Sequence, residues 1–126
     1  MIKALLLLAA GVAAPTLLGA QTWNYVSVGP DGRTSPASIS LTEKDGAATF
    51  QMTAPQLNAC WRGPLKAMVE RTATTIIITP EPPLRDCEQV RFVIKADGTG
   101  GQRQSRRDAD ADWVNEARDR KLTLAR

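Results

Sequence analysis

Three Asp-Gly pairs, Asp31-Gly32, Asp45-Gly46 and Asp97-Gly98, each stand between segments that read as strands. Asp-Gly is favoured in tight hairpin turns, where both positions have to tolerate a positive φ. Alternation with period two marks a strand with one buried face. The pattern predicts strands over Thr22 to Val28, Ser38 to Thr42 and Thr49 to Thr53, with Ile39, Leu41, Phe50 and Met52 facing inward. The best-defined hairpin is the one around Lys44-Asp45-Gly46.

The same reading continues past Gly63-Pro64, a turn signal. Leu65, Ala67 and Val69 share one face of a predicted strand. Thr74 to Thr79 is a β-branched run, and its continuous apolarity predicts a central strand or one buried on both faces. Pro80-Glu81-Pro82-Pro83 ends it, because proline cannot donate to a ladder. Glu88 to Lys95 alternates again, with Val90, Phe92 and Ile94 inward and Arg91, Val93 and Lys95 outward. From Thr99 to Asp112 no apolar residue larger than alanine occurs before Trp113, so this segment reads as an edge strand with two wet faces or as a mobile loop. Asp112 to Arg118 is compatible with about two helical turns, and Lys121 to Ala125 alternates like a closing strand. About seven or eight short strands with short connections predict an all-β fold, a small antiparallel sandwich or barrel.

The first twenty residues have a different character. Lys3 supplies a positive start, Ala4 to Ala14 is apolar or small, Pro15 breaks any helix, and Leu18-Gly19-Ala20 ends on small residues. This is the pattern of a signal peptide cut after Ala20. It is interrupted and lacks the flanks of a spanning helix, which needs about 20 apolar residues. Gln21 follows the expected cut, so there is no cysteine there to carry a lipid, and no Arg-Arg pair precedes the apolar run. The expected organisation is a signal peptide at 1–20 and a single β domain at 21–126, working in the periplasm or secreted.

Export bears on the two cysteines. Cys60 and Cys87 both follow the expected cut, and an even count in a short exported chain predicts a disulfide. The loop it closes is worth roughly 3–4 kcal/mol by chain entropy. Trp61, beside Cys60, is expected to pack against the bridge.

Composition removes whole classes of chemistry. The chain has no histidine and only two cysteines, which excludes a Ser-His-Asp triad, a Cys-His dyad, His-ligated metals and a four-cysteine zinc site. No Ser-x-x-Lys dyad and no glycine-rich phosphate loop opening a helix is present. A net charge of +3 from 16 basic and 13 acidic residues is too balanced to point to nucleic acid. The expectation is a non-catalytic protein without cofactor.

Three constellations remain. Arg103, Arg106, Arg107 and Trp113, with Arg118 and Arg120 nearby, form a basic-aromatic patch. Arginine forks bind carboxylate, sulfate or phosphate bidentately, and tryptophan stacks on sugars or guanidinium groups. Asp108, Asp110 and Asp112, with Asp119, have the spacing that opens a calcium loop, but Trp113 occupies the position where the sharp turn needs glycine. The plainer reading is a solvated acidic stretch beside arginines. Trp23 near the start of the first strand suits the plug of a small barrel, with Arg120 or Arg126 stacked on it. The function read from these residues is a binding module for an envelope protein or an anionic glycan, inhibition of an envelope-directed enzyme being one form of it. The alternative is a small barrel carrying a hydrophobic ligand. The surface of the binding module is expected on the 99–112 segment and the Cys60–Cys87 loop.

Overall fold

The protein is described by a computed structural model that covers residues 17–29, 31–55, 57–116 and 123–124. Among the described residues it forms nine strands: β1 (Leu17–Val28), β2 (Thr34–Lys44), β3 (Ala47–Thr53), β4 (Leu65–Arg71), β5 (Thr75–Pro80), β6 (Gln89–Lys95), β7 (Gly101–Arg106), β8 (Val114–Asn115) and β9 (Thr123–Leu124). Strands β1 to β8 pair in chain order, each antiparallel to the one before, and β9 returns to the outer edge of β1. The result is one continuous sheet curled into a half-barrel, rather than two stacked sheets. No helix long and apolar enough to cross a membrane occurs among the described residues.

The curl is visible in one contact. Phe50 on β3 and Phe92 on β6 are three strands apart, a separation of about 14 Å in a flat sheet. Their ring centroids lie 5.4 Å apart. The inward set read from alternation closes over this contact. Ile39, Leu41, Phe50, Ile78, Val90, Phe92 and Ile94 are at most 1% exposed, and Met52 is buried beside them. Burying each such side chain contributes about 1.5–3 kcal/mol relative to exposure. Trp23 belongs to the same core. The arginines expected over it, Arg120 and Arg126, lie outside the described residues.

All three Asp-Gly pairs sit at hairpin turns, but only one has positive φ at both positions. Asp45 (φ 54°) and Gly46 (φ 81°) join β2 to β3 in the mirror-image turn that suits strand twist. At the other two pairs only the glycine, Gly32 or Gly98, is left-handed, and the aspartate instead accepts a backbone N–H two residues on.

Three other expectations are refined. β1 begins at Leu17, not Thr22, and Gly19 and Ala20 pair with Glu43 and Thr42, so this strand includes the end of the segment expected to be a leader. In β5, Ile76 and Ile78 face the core while Ile77 is half-buried on the outer side, so the run is central and fully buried on one face only. Val114–Asn115 is not helical. It pairs with Gln104–Ser105, and the Gln104 side-chain amide donates to Asn115 Oδ1 at 3.0 Å, which holds the segment extended. The first sixteen residues and residues 117–122 lie outside the described residues.

The sheet has one weak seam. β3 and β4 share only the pairs Thr49↔Lys66 and Phe50↔Leu65. The connection between them, residues 54–64, carries Cys60, which is bonded to Cys87 in the connection between β5 and β6. The expected disulfide is thus present, and a disulfide fits an oxidising compartment. Trp61 is 6% exposed and Cys60 packs against the same core cluster.

Candidate functional site

The two faces of β7 decide what becomes of the basic-aromatic patch. Phe92, which faces the core, lies directly opposite Arg103, whereas Arg91 lies opposite Gln104 and Gln89 opposite Arg106. Arg103 therefore points to the concave side of the half-barrel and Arg106 to the convex side. All six residues of β7 are half-buried. For residues 101–106 the structure replaces the expected two-faced edge strand or mobile loop with a half-buried strand, Arg103 meeting Glu116 on one side and the outward side chains of β6 with Trp113 lying against the other, while Arg107 to Asp110 are exposed.

On the convex side the guanidinium carbon of Arg106 lies 4.3 Å from the centroid of the Trp113 ring, and that of Arg91 lies 4.5 Å from it. Each arginine is oriented by a glutamine on the neighbouring strand. Arg91 Nε donates to Gln104 Oε1 at 2.7 Å, and Arg106 Nε donates to Gln89 Oε1 at 2.6 Å. Among the described residues neither guanidinium lies within ion-pair distance of a carboxylate. Burial lowers the pKa of Arg91, and the positive charge of Arg106 lowers it further, against the opposing pull of Glu70. The indole ring offsets part of the repulsion between the two guanidiniums through its negative face.

Arg107 is exposed beyond the end of β7. Asp108, Asp110 and Asp112 are exposed too, and Asp108 Oδ1 accepts the backbone N–H of Asp110 at 3.0 Å. Among the described residues no group of three or more acidic or cysteine side chains is placed to hold a metal ion. Asp119 and Arg118 lie outside the described residues.

On the concave side Arg103 forms an ion pair with Glu116 at 3.2 Å, with side chains only 13% and 19% exposed. Arg103 also forms part of the wall of an open cleft of about 600 Å³ at one end of the half-barrel. Tyr25, Met52 and Trp61 line its floor, each no more than 6% exposed, and Ser27 and Ser35 line its side. The 54–64 connection supplies the opposite wall. It is braced by Asn58, whose side-chain oxygen accepts the Cys60 N–H at 2.9 Å, by Arg62 Nε donating to the Leu57 carbonyl at 2.8 Å, and by the disulfide.

The patch read from the sequence is therefore two places. Arg106 and Trp113 come together, Arg103 belongs to the cleft, and Arg107 touches neither ring nor cleft. The missing member is Arg91. Its outward parity on β6 was legible, but its meeting with Trp113 depends on the β6–β7 register. No family profile matches the chain, and neither a curated protein nor a solved structure matches it.

Proposed function

We propose that this is an exported, non-catalytic binding module, periplasmic or secreted, that recognises an anionic partner through Arg91, Arg106 and Trp113. The partner is an anionic glycan or an acidic surface of an envelope protein, and blocking an envelope-directed enzyme is one way such a module would act. The observation that carries this reading is the pair of guanidiniums held against one indole ring, without a carboxylate in ion-pair distance among the described residues. Holding two like charges together costs energy, and a sulfate, phosphate or carboxylate relieves it while accepting charge-assisted hydrogen bonds. The glutamines engage only the Nε atoms, and among the described residues each fork keeps its Nη donors for a ligand. The disulfide fits the proposed location.

The test is binding of a heparin oligosaccharide and of oligogalacturonate, followed by calorimetry at low and high salt. Both wild-type affinities should fall with salt, and Arg91→Gln or Arg106→Gln should each weaken binding about tenfold. A protein that ignores both glycans and captures no acidic envelope protein in an Arg106-dependent way would refute the reading.

The alternative, a carrier of a hydrophobic ligand, draws on the cleft at the mouth of the half-barrel. Its polar wall of Ser27, Ser35 and Asn58 and the side-chain-filled interior support it less well than the convex surface supports anion binding. Native mass spectrometry of the purified protein distinguishes the two, because only a carrier retains a lipid-sized mass.

A further inference from the structure

The concave cleft has its own chemistry, and it differs from that of the convex surface. We propose that the cleft formed by Tyr25, Ser27, Ser35, Met52, Asn58 and Trp61 is a second binding site, for a short neutral saccharide.

Its size falls within the range of small-ligand sites at about 600 Å³. Its charges are internally balanced. Arg33 lies 3.3 Å from Asp31 at the rim, and Arg103 is paired with Glu116 in the wall. A ligand with a net charge would gain little here, unlike at Arg91 and Arg106. What the cleft offers is hydroxyl chemistry. Ser27 and Ser35 lie directly opposite each other on β1 and β2, both half-buried. Neither hydroxyl makes a hydrogen bond among the described residues. Each can donate one bond and accept others, which matches the hydroxyls of a sugar. Apolar surface from the half-buried Ala54 and Leu57 lies beside them, over a floor of buried Met52 and Trp61, as sugar rings with one polar rim and one C–H face require.

The walls are fixed before any ligand arrives. One is the paired β1–β2 ladder, and the other is the loop tied down by Cys60–Cys87 and braced through Asn58 and Arg62. Such preorganisation lowers the ordering cost of binding. The site lies on the opposite side of β7 from Arg106 and does not rest on the anion-binding reading.

The experiment is a titration of the ¹⁵N-labelled, disulfide-bonded full chain with millimolar N,N′-diacetylchitobiose, cellobiose and maltose. The expected result is saturable shifts for at least one sugar, confined to the amides of Ser27, Ser35 and Asn58 and to the Trp61 indole. Ser27→Ala/Ser35→Ala should weaken that affinity about tenfold at an unchanged melting temperature, while Arg106→Gln leaves it intact. If the double variant does not fold, Ser27→Ala alone is read, with a weakening of a few-fold. No saturable shift with any of the three sugars would overturn the proposal. So would shifts centred on Trp113, or an affinity untouched by the serine substitutions.

Discussion

Arg71 on β4 grips the carboxylate of Glu43 on β2 with both of its Nη atoms, one of them at 2.9 Å, passing over the end of β3. The two residues bracket the seam at which β3 and β4 share only two residue pairs. The hydrogen bond to Glu43 raises the pKa of Arg71, while partial burial works against it. Glu43→Gln and Arg71→Gln, combined in a double-mutant cycle, should give a coupling of about 0.5–1 kcal/mol, shrinking in high salt. A coupling indistinguishable from zero in low-salt denaturation would remove the clamp from the account of the seam.

Gly101 lies directly opposite Ile94. A Cβ placed there would stand 3.0 Å from the Val93 carbonyl oxygen and 3.1 Å from the Ile94 Cα. Backbone atoms in a paired strand cannot move aside cheaply, so Gly101→Ala should destabilise the protein by about 1–3 kcal/mol. Gly100, its neighbour, has open space around the same position. Gly100→Ala should change stability by no more than about 0.5 kcal/mol. Equal denaturation midpoints for the two variants would contradict the close packing of β7 on β6.

Trp61 and the disulfide secure the same connection. Trp61 is 6% exposed, and Trp61→Ala should cost about 3–5 kcal/mol. Replacing both cysteines by serine should cost roughly 3–4 kcal/mol, because the closed loop constrains the unfolded chain. Because Trp61 also forms part of the cleft floor, the cysteine pair is the cleaner probe of stability alone. An unchanged urea midpoint after full reduction would show that the bridge contributes little.

Asp97 accepts hydrogen bonds from the backbone N–H of Thr99 at 3.0 Å and from its hydroxyl at 2.6 Å. These bonds, the hydroxyl's first, hold its pKa below the ordinary 3.8. A depressed carboxylate stabilises the folded state above the unfolded pKa, and this contribution is lost as pH falls through the folded one. An NMR titration should find Asp97 titrating below the ordinary aspartate value, and Thr99→Ala should raise its midpoint. An identical midpoint in the variant would mean the turn does not favour the ionised form.

The strands were legible because their alternation is regular. Ile39 and Leu41, Phe50 and Met52, and Val90, Phe92 and Ile94 all face the core as their spacing implies. Period two carries no information about curvature, which is why the choice between sandwich and barrel needed the Phe50–Phe92 contact. Nor does it say which residues meet from different strands. The separation of Arg103 from Arg106 follows from odd and even positions on one strand, a signal present in the sequence. The approach of Arg91 to Trp113 does not, since it depends on the register across a hairpin and on the short β8 bringing Trp113 alongside. β8 itself has too few residues to show a pattern, and its two pairs with β7 form only once that strand is in place.

The two margins of the half-barrel are finished by neighbouring parts of one tail. β8 caps β7 with two residues, and β9 caps β1 with two residues at the opposite margin. A trim after Arg106 would strip both at once, leaving raw main-chain donors and acceptors along each border. The C-terminal tail is then a hem, short and pinned at both borders of the fabric.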